Sequence, residues 1–155
     1  MSKEEFMKEA LLEASLAEEK GEVPIGAIVV KDGLIIGRGH NLTETTKDPT
    51  NHCEMIAIRE AAKRLGGWRL FGCELYVTLE PCSMCAGAIV LSRLDKIYIG
   101  TMDPKTGACG SLMNIIQDER LNHFVEIETG ILEEQCQDII RKFFKNIRNQ
   151  SGRKK

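Results

Sequence analysis

The chain has 155 residues, 28% of them charged and 43% hydrophobic, with a formal net charge of −2. That length fits one domain burying roughly 68–70% of its unfolded surface, so the six cysteines are not needed as disulfide staples. Glu4, Glu5, Glu9, Glu13, Glu18 and Glu19 interrupt the start of the chain and no run approaches the ~20 apolar residues that span a bilayer, so no secretory signal and no membrane partner are expected, and a cytoplasmic location is.

Residues 3–20 read as an amphipathic helix. Ser2 and Glu5 have capping-box spacing, and Phe6, Ala10, Leu11, Ala14 and Ala17 recur at helical intervals up to Gly21. Residues 25–30 and 34–38 predict two strands, joined by a hairpin turn through Lys31-Asp32-Gly33. Residues 42–50 are polar, contain Pro49 and predict a loop. Residues 52–64 predict a helix stopped by Gly66-Gly67. A strand over 74–79 runs into Pro81, and a compact helix follows over 82–91. The spacing then predicts a strand over 96–99, a long turn-rich loop over 100–111 and a last strand over 125–128. The terminal helix is expected over 132–147, with Ile139, Ile140, Phe143, Phe144 and Ile147 on one broad apolar side. Helices alternating with strands after an initial hairpin imply an α/β sandwich with a mixed sheet. No repeat or linker interrupts it, so a single domain is expected over 1–150, followed by a basic tail over 151–155.

The small net charge hides an asymmetry. The last 15 residues hold seven basic side chains and no acid, which leaves 14 basic against 23 acidic residues in 1–140. A basic terminal segment fits a nucleic-acid footprint, and equally a solvated helix end.

Two short motifs carry the chemistry: His52-Cys53-Glu54, and Pro81-Cys82-Ser83-Met84-Cys85. His52, Cys82 and Cys85 are candidate zinc ligands, each at the start of an expected helix, where the positive helix end favours a thiolate. Three protein ligands leave the fourth tetrahedral position open, which marks catalytic rather than structural zinc. Glu54, two residues beyond His52, is placed to move protons near the metal without binding it. Cys82 and Cys85 alone could form a redox pair, but that pair would need neither His52 and Glu54 upstream nor Glu80-Pro81 beside the cysteines. A closed structural site would need Cys53, Cys73 or Cys109 as a fourth ligand. Cys73, Cys109 and Cys136 lack ligand-like spacing and are expected as small buried hydrophobes.

The combination H-x-E…P-C-x-x-C is the signature of zinc-dependent nucleobase deaminases. With GEVPIGAIVV at 21–30, HN at 40–41, ELYVTLEPCSMCAGAIVLSR at 74–93, DPKTGACGSLMN at 103–114, NH at 122–123 and RKFF at 141–144, nearly the whole chain resembles the bacterial tRNA adenosine deaminases. The resemblance implies a cytidine-deaminase-like fold, a three-layer α/β/α sandwich around a mixed sheet of about five strands. It implies deamination of adenosine to inosine at the wobble position of an anticodon, in an arginine tRNA, by a homodimer with one Zn2+ per subunit and active sites near the interface. Asn41 would contact the flipped base, and Asp103 and Lys105 the neighbouring nucleotides. Asn122 and one of Phe143 and Phe144, preferably Phe144, would hold the anticodon stem-loop. Base chemistry needs the base out of its stack, which a single-stranded loop makes easy. The other readings are a deaminase of free guanine or cytosine, an RNA-binding module with structural zinc, and a cytosolic thiol redox protein. One position departs from the family pattern: Cys53 stands where alanine is usual. The change is small and is read as benign, against the alternatives that the thiol narrows the pocket, oxidises or competes for zinc.

Overall fold

The computed structural model describes residues 1–153; the Lys154-Lys155 end of the basic tail expected over 151–155 lies outside the described residues. The elements are α1 (Lys3–Glu19), β1 (Gly26–Lys31), β2 (Leu34–His40), α2 (Thr43–Thr46), α3 (Cys53–Leu65), β3 (Cys73–Leu79), α4 (Ser83–Leu91), β4 (Lys96–Thr101), a 3-10 turn (Ile115–Gln117), β5 (Glu126–Thr129) and α5 (Glu133–Arg153). The strands form one five-stranded mixed sheet in the order β2-β1-β3-β4-β5. β1 is antiparallel to both β2 and β3, while β3, β4 and β5 are parallel. Only β1 therefore runs against the other four, and β2, β3 and β4 all end on the same edge.

The inner strands are apolar on both faces, and this forces a helical layer onto each side. Ala27, Val29, Leu75, Val77, Ile97 and Ile99 point to one core, which α3 and α4 close. Ile28, Val30, Tyr76 and Tyr98 alternate with them and point to a second core, closed by Phe6, Met7 and Ala10 of α1 and Cys136 of α5. In that second core Tyr76 and Tyr98 stack with ring centroids 4.3 Å apart, and Phe6 tilts onto Tyr76 at 5.2 Å. The three-layer α/β/α sandwich expected from the sequence is the observed architecture.

Local signals act as the sequence suggested. The Ser2 hydroxyl caps α1 by accepting from the Glu5 N–H at 3.2 Å. Asp32 (φ 50°) and Gly33 (φ 77°) both take the left-handed conformation of a tight hairpin turn. Gly66 (φ 75°) ends α3. Cys73, Cys109 and Cys136 are buried. Three elements differ. The polar stretch 42–50 holds the one-turn helix α2 rather than only a loop. The 3-10 turn was not anticipated. The terminal helix runs on to Arg153, and its apolar side is only partly covered: Ile139, Ile140 and Phe143 are half-buried, Phe144 and Ile147 exposed. No helix among the described residues is long and apolar enough to cross a membrane.

The register of α3 on the sheet rests on two glycines of β2. Arg38 and His40 face α1, where both bond the Glu13 carboxylate at 3.0 Å. Gly37 and Gly39 face the other way, against the α3 backbone. A Cβ on Gly37 would collide with the Ala57 carbonyl oxygen, and one on Gly39 with that of Cys53. Gly39→Ala is expected to push the first turn of α3 away and cost about 3 kcal/mol or more, read as a lower urea midpoint.

Candidate active site

His52 and Cys82 occupy equivalent positions, each the N-cap of its helix, α3 and α4. Cys85 lies one turn into α4 and is buried. The His52 Nδ1 is 3.5 Å from the Cys82 Sγ and 3.6 Å from the Cys85 Sγ. Bonds of about 2.3 Å to sulfur and 2.0–2.1 Å to nitrogen, set at tetrahedral angles, give an N···S edge of about 3.6 Å. The donor set therefore fits a small tetrahedral ion. Among the described residues this group holds three donors, with their ligand atoms all within 4.8 Å of one another. Cys53, Cys73 and Cys109 do not join it. The Cys53 thiol donates instead to Glu54 Oε1 at 2.9 Å, and the Cys73 thiol points to the Phe71 carbonyl at 3.8 Å. A closed four-ligand site thus has no fourth donor here.

The Cys82 thiol is held down to about 4, first by the hydrogen bond from Cys85 and then by His52. Cys85, facing that thiolate and buried, is pushed up. A bound cation removes the asymmetry, because it favours the thiolate at both positions. The two helix N-termini add positive potential at the same point.

Two of the three donors, His52 and Cys82, line a pocket of about 150 Å³ at the carboxyl ends of β2 and β3, while Cys85 is fully buried. Its walls come from the chain as it leaves β2 (Asn41, Thr43), β3 (Leu79, Glu80) and β4 (Asp103, Thr106). Glu54 lines it from the first turn of α3 and is 4% exposed. Burial raises the pKa of its carboxyl, the Cys53 thiol partly opposing the rise. Such a group holds or releases a proton nearer neutrality than an ordinary glutamate. A second groove of about 470 Å³ adjoins the pocket and shares Ile25, Leu79, Asp103 and Thr106 with it. Lys105, Arg141 and Phe144 flank this groove.

The structure thus brings Asn41, Glu54 and Asp103 to the pocket, and Lys105 and Phe144 to the adjoining groove. Phe143 packs edge-on against Phe144, with centroids 5.4 Å apart, and does not line the groove. Asn122 is exposed and lines neither cavity of the protomer. Asn41 is 7% exposed; its Oδ1 accepts from the Thr43 N–H and its Nδ2 points to the Val23 carbonyl. The Asp103 carboxylate folds its own loop, accepting from the N–H groups of Lys105 and Thr106 and the Thr106 hydroxyl.

Two buried glutamates beside the pocket have roles that the sequence did not reveal, although Glu80 stood out beside the cysteine motif. Glu22 is 1% exposed and accepts from the Glu44 N–H, the Thr45 N–H and the Thr45 hydroxyl, which is why α2 forms. Glu80 is 3% exposed and gathers the loop after β4. The one available signal was an acid placed among apolar or turn residues, Glu80 between Leu79 and Pro81, where a solvated carboxylate has no reason to stand.

Cys53→Ala is expected to keep one metal per chain and full turnover, since the thiol is no ligand; metal loss measured by atomic emission would contradict this. Burial pushes the Glu22 carboxyl up, but the Thr45 hydroxyl and the two N–H groups outweigh it and hold its pKa below that of an ordinary glutamate. A lowered folded-state pKa adds stability that is present above the unfolded value and disappears as pH falls through the folded one. The urea midpoint of wild type is therefore expected to exceed that of Glu22→Gln at neutral pH, and the gap to close as pH drops below the ordinary carboxylate range.

Residues 1–148 match the MafB19-like deaminase family. A tRNA-specific adenosine deaminase of Bacillus subtilis is 57% identical over 143 residues, covering 92% of this chain and 89% of its own. A solved structure from work on A-to-I editing by tRNA:A34 deaminases at the wobble position of transfer RNA superimposes with a TM-score of 0.84 at 44% identity, covering 87% of this chain and 98% of that one. A guanine deaminase of Bacillus subtilis gives a TM-score of 0.65 at 34% identity, covering 96% and 95%. With its fold, its three-donor centre and these relatives, the chain belongs to the deaminase family that includes the bacterial tRNA-specific adenosine deaminases.

Proposed function

We propose that this protein deaminates adenosine to inosine at the wobble position of a tRNA anticodon, in an arginine tRNA, with one zinc ion per subunit held by His52, Cys82 and Cys85. The observation that carries the reading is the three-donor group, two of whose members, His52 and Cys82, line a small pocket together with a buried carboxyl, Glu54. Mixed nitrogen and sulfur donors in a tetrahedral arrangement suit zinc. When bound there, zinc supplies Lewis-acid activation of water near neutral pH.

The chain's own residues do the rest. Glu54 takes one proton from the attacking water and delivers it to the purine ring nitrogen, then takes the second from the hydroxyl now on the attacked carbon and passes it to the departing amine, so that adenosine and water leave as inosine and ammonia. Its buried, raised carboxyl suits both the taking and the giving. Asn41 offers an amide at the pocket wall for the base edge. Lys105 and Arg141 give the groove positive charge for phosphates, and Phe144, 42% exposed, offers a face on which a neighbouring base can stack. Asp103 shapes the loop that presents Lys105. Asn122, exposed and lining neither cavity, would act on the anticodon stem from outside them.

A homodimer is the assembly proposed. It is supported by the exposed apolar side chains Leu91 on α4 and Leu112 and Met113 just before the 3-10 turn on which α4 packs. Residues 1–150 act as the single deaminase domain, with the basic end at 151–155 as a phosphate contact, in the cytoplasm where the substrate resides.

Likeness to a guanine deaminase keeps one second reading, a deaminase of free bases. One assay separates them: inosine formed in an anticodon stem-loop against ammonia released from free guanine and cytosine. Inosine in the stem-loop without ammonia from the free bases is the expected result. Glu54→Ala is expected to retain one zinc per chain and lose turnover by about 10²–10⁴ or more; retained turnover would remove Glu54 from the mechanism.

A further inference from the structure

The loop after β4 forms the wall shared by the inner pocket and the groove, since Asp103 and Thr106 line both. It is gathered around one side chain. Glu80 Oε1 accepts from the Asp103 N–H at 2.9 Å and from the Ser111 hydroxyl, and Oε2 accepts from the N–H groups of Cys109 and Ser111, each at 3.0 Å. The contact is tight: a Cβ on Gly107 would collide with the Glu80 carboxylate. Glu80 stands two residues before Cys82, yet its carboxylate turns to the loop and takes no part in the three-donor group.

We infer that Glu80 is a positioning residue, whose carboxylate fixes the wall between the reacting base and its neighbours and so sets how tightly the flanking nucleotides are held. The inference rests on the anticodon-loop reading above. A carboxylate is suited to this role because both of its oxygens only accept. Glutamine has the same shape, but whichever way its amide is turned, its NH2 faces at least one of these N–H donors. The loop must then open or leave a buried donor unpaired. The three metal donors are untouched by that change, so the effect falls on substrate grip rather than on the chemical step.

The test uses the full-length, zinc-loaded protein with two variants, Glu80→Gln and Gly107→Ala. The second keeps the carboxylate charge and disturbs the same contact from the opposite side. Both are expected to keep one zinc per chain and kcat within about threefold, while KM for the anticodon stem-loop rises about tenfold. Backbone amides of Asp103, Cys109 and Ser111 are expected to exchange slowly with deuterium in wild type and faster in both variants. Unchanged KM in the two variants beside an active wild type overturns the inference alone. A fall in kcat that tracks zinc loss also overturns it, by making Glu80 part of the metal site's scaffold. A wild-type protein that leaves the stem-loop unmodified overturns the substrate reading instead, and the exchange measurement still decides whether Glu80 anchors the loop: unchanged exchange in both variants rejects the anchor.

Discussion

The close approach of α3 to β2 governs the placement of every reacting group. Gly37 and Gly39 let the helix backbone rest directly on the strand, so the first turn of α3 has one height above the sheet. That height sets where His52 and Glu54 stand. The second half of the centre, Cys82 and Cys85, is fixed independently, by β3 ending and α4 beginning. Because β2 and β3 run in the same direction on either side of β1, the two helix starts meet at one edge. Donors 30 residues apart in the chain can then come within about one tetrahedral edge of each other.

The electrostatics of the pocket follow from that meeting. A lone cluster of two thiols and a buried carboxyl would hold its protons, as the raised Glu54 and Cys85 indicate. The hydrogen bond from Cys85, and after it the His52 imidazole, lower the Cys82 thiol instead, and the two helix N-termini add positive potential there. A divalent cation extends the same shift to Cys85. Glu54 remains outside the donor group and keeps its capacity to exchange a proton. One carboxyl and two sulfurs, all buried or half-buried within one pocket, thus acquire different roles from their surroundings.

What could be read from the sequence was local. The hairpin signal Asp32-Gly33, the stop at Gly66, the alternation along 25–30 and 74–79, and the ligand spacing of 82 and 85 each involve residues within a few positions of one another. Burial of α5 was harder. Its apolar side was legible, but nothing in the sequence says that the sheet ends before the helix does, leaving Phe144 and Ile147 uncovered. The helix α2 was missed because Thr43–Thr46 has no strong intrinsic signal and forms where Glu22, about 20 residues earlier, receives its first N–H groups. The role of Glu80 escaped for the same reason: its partners lie 23 to 31 positions away. The family resemblance supplied Asn41, Asp103, Lys105 and Phe144, which no spacing rule would have gathered around two adjoining cavities. It also supplied Asn122, which lies apart from both.

The sheet divides its labour along the length of each strand. Interior positions build the two cores, and the positions just past the strand ends build the pocket. Few residues serve both purposes. Loops here can therefore accumulate substitutions that alter which base is accepted, without eroding the packing that keeps the ion donors in place. Divergence of specificity on a constant scaffold is the evolutionary outcome such an arrangement favours, and relatives with one shared fold and different purine substrates are its natural descendants.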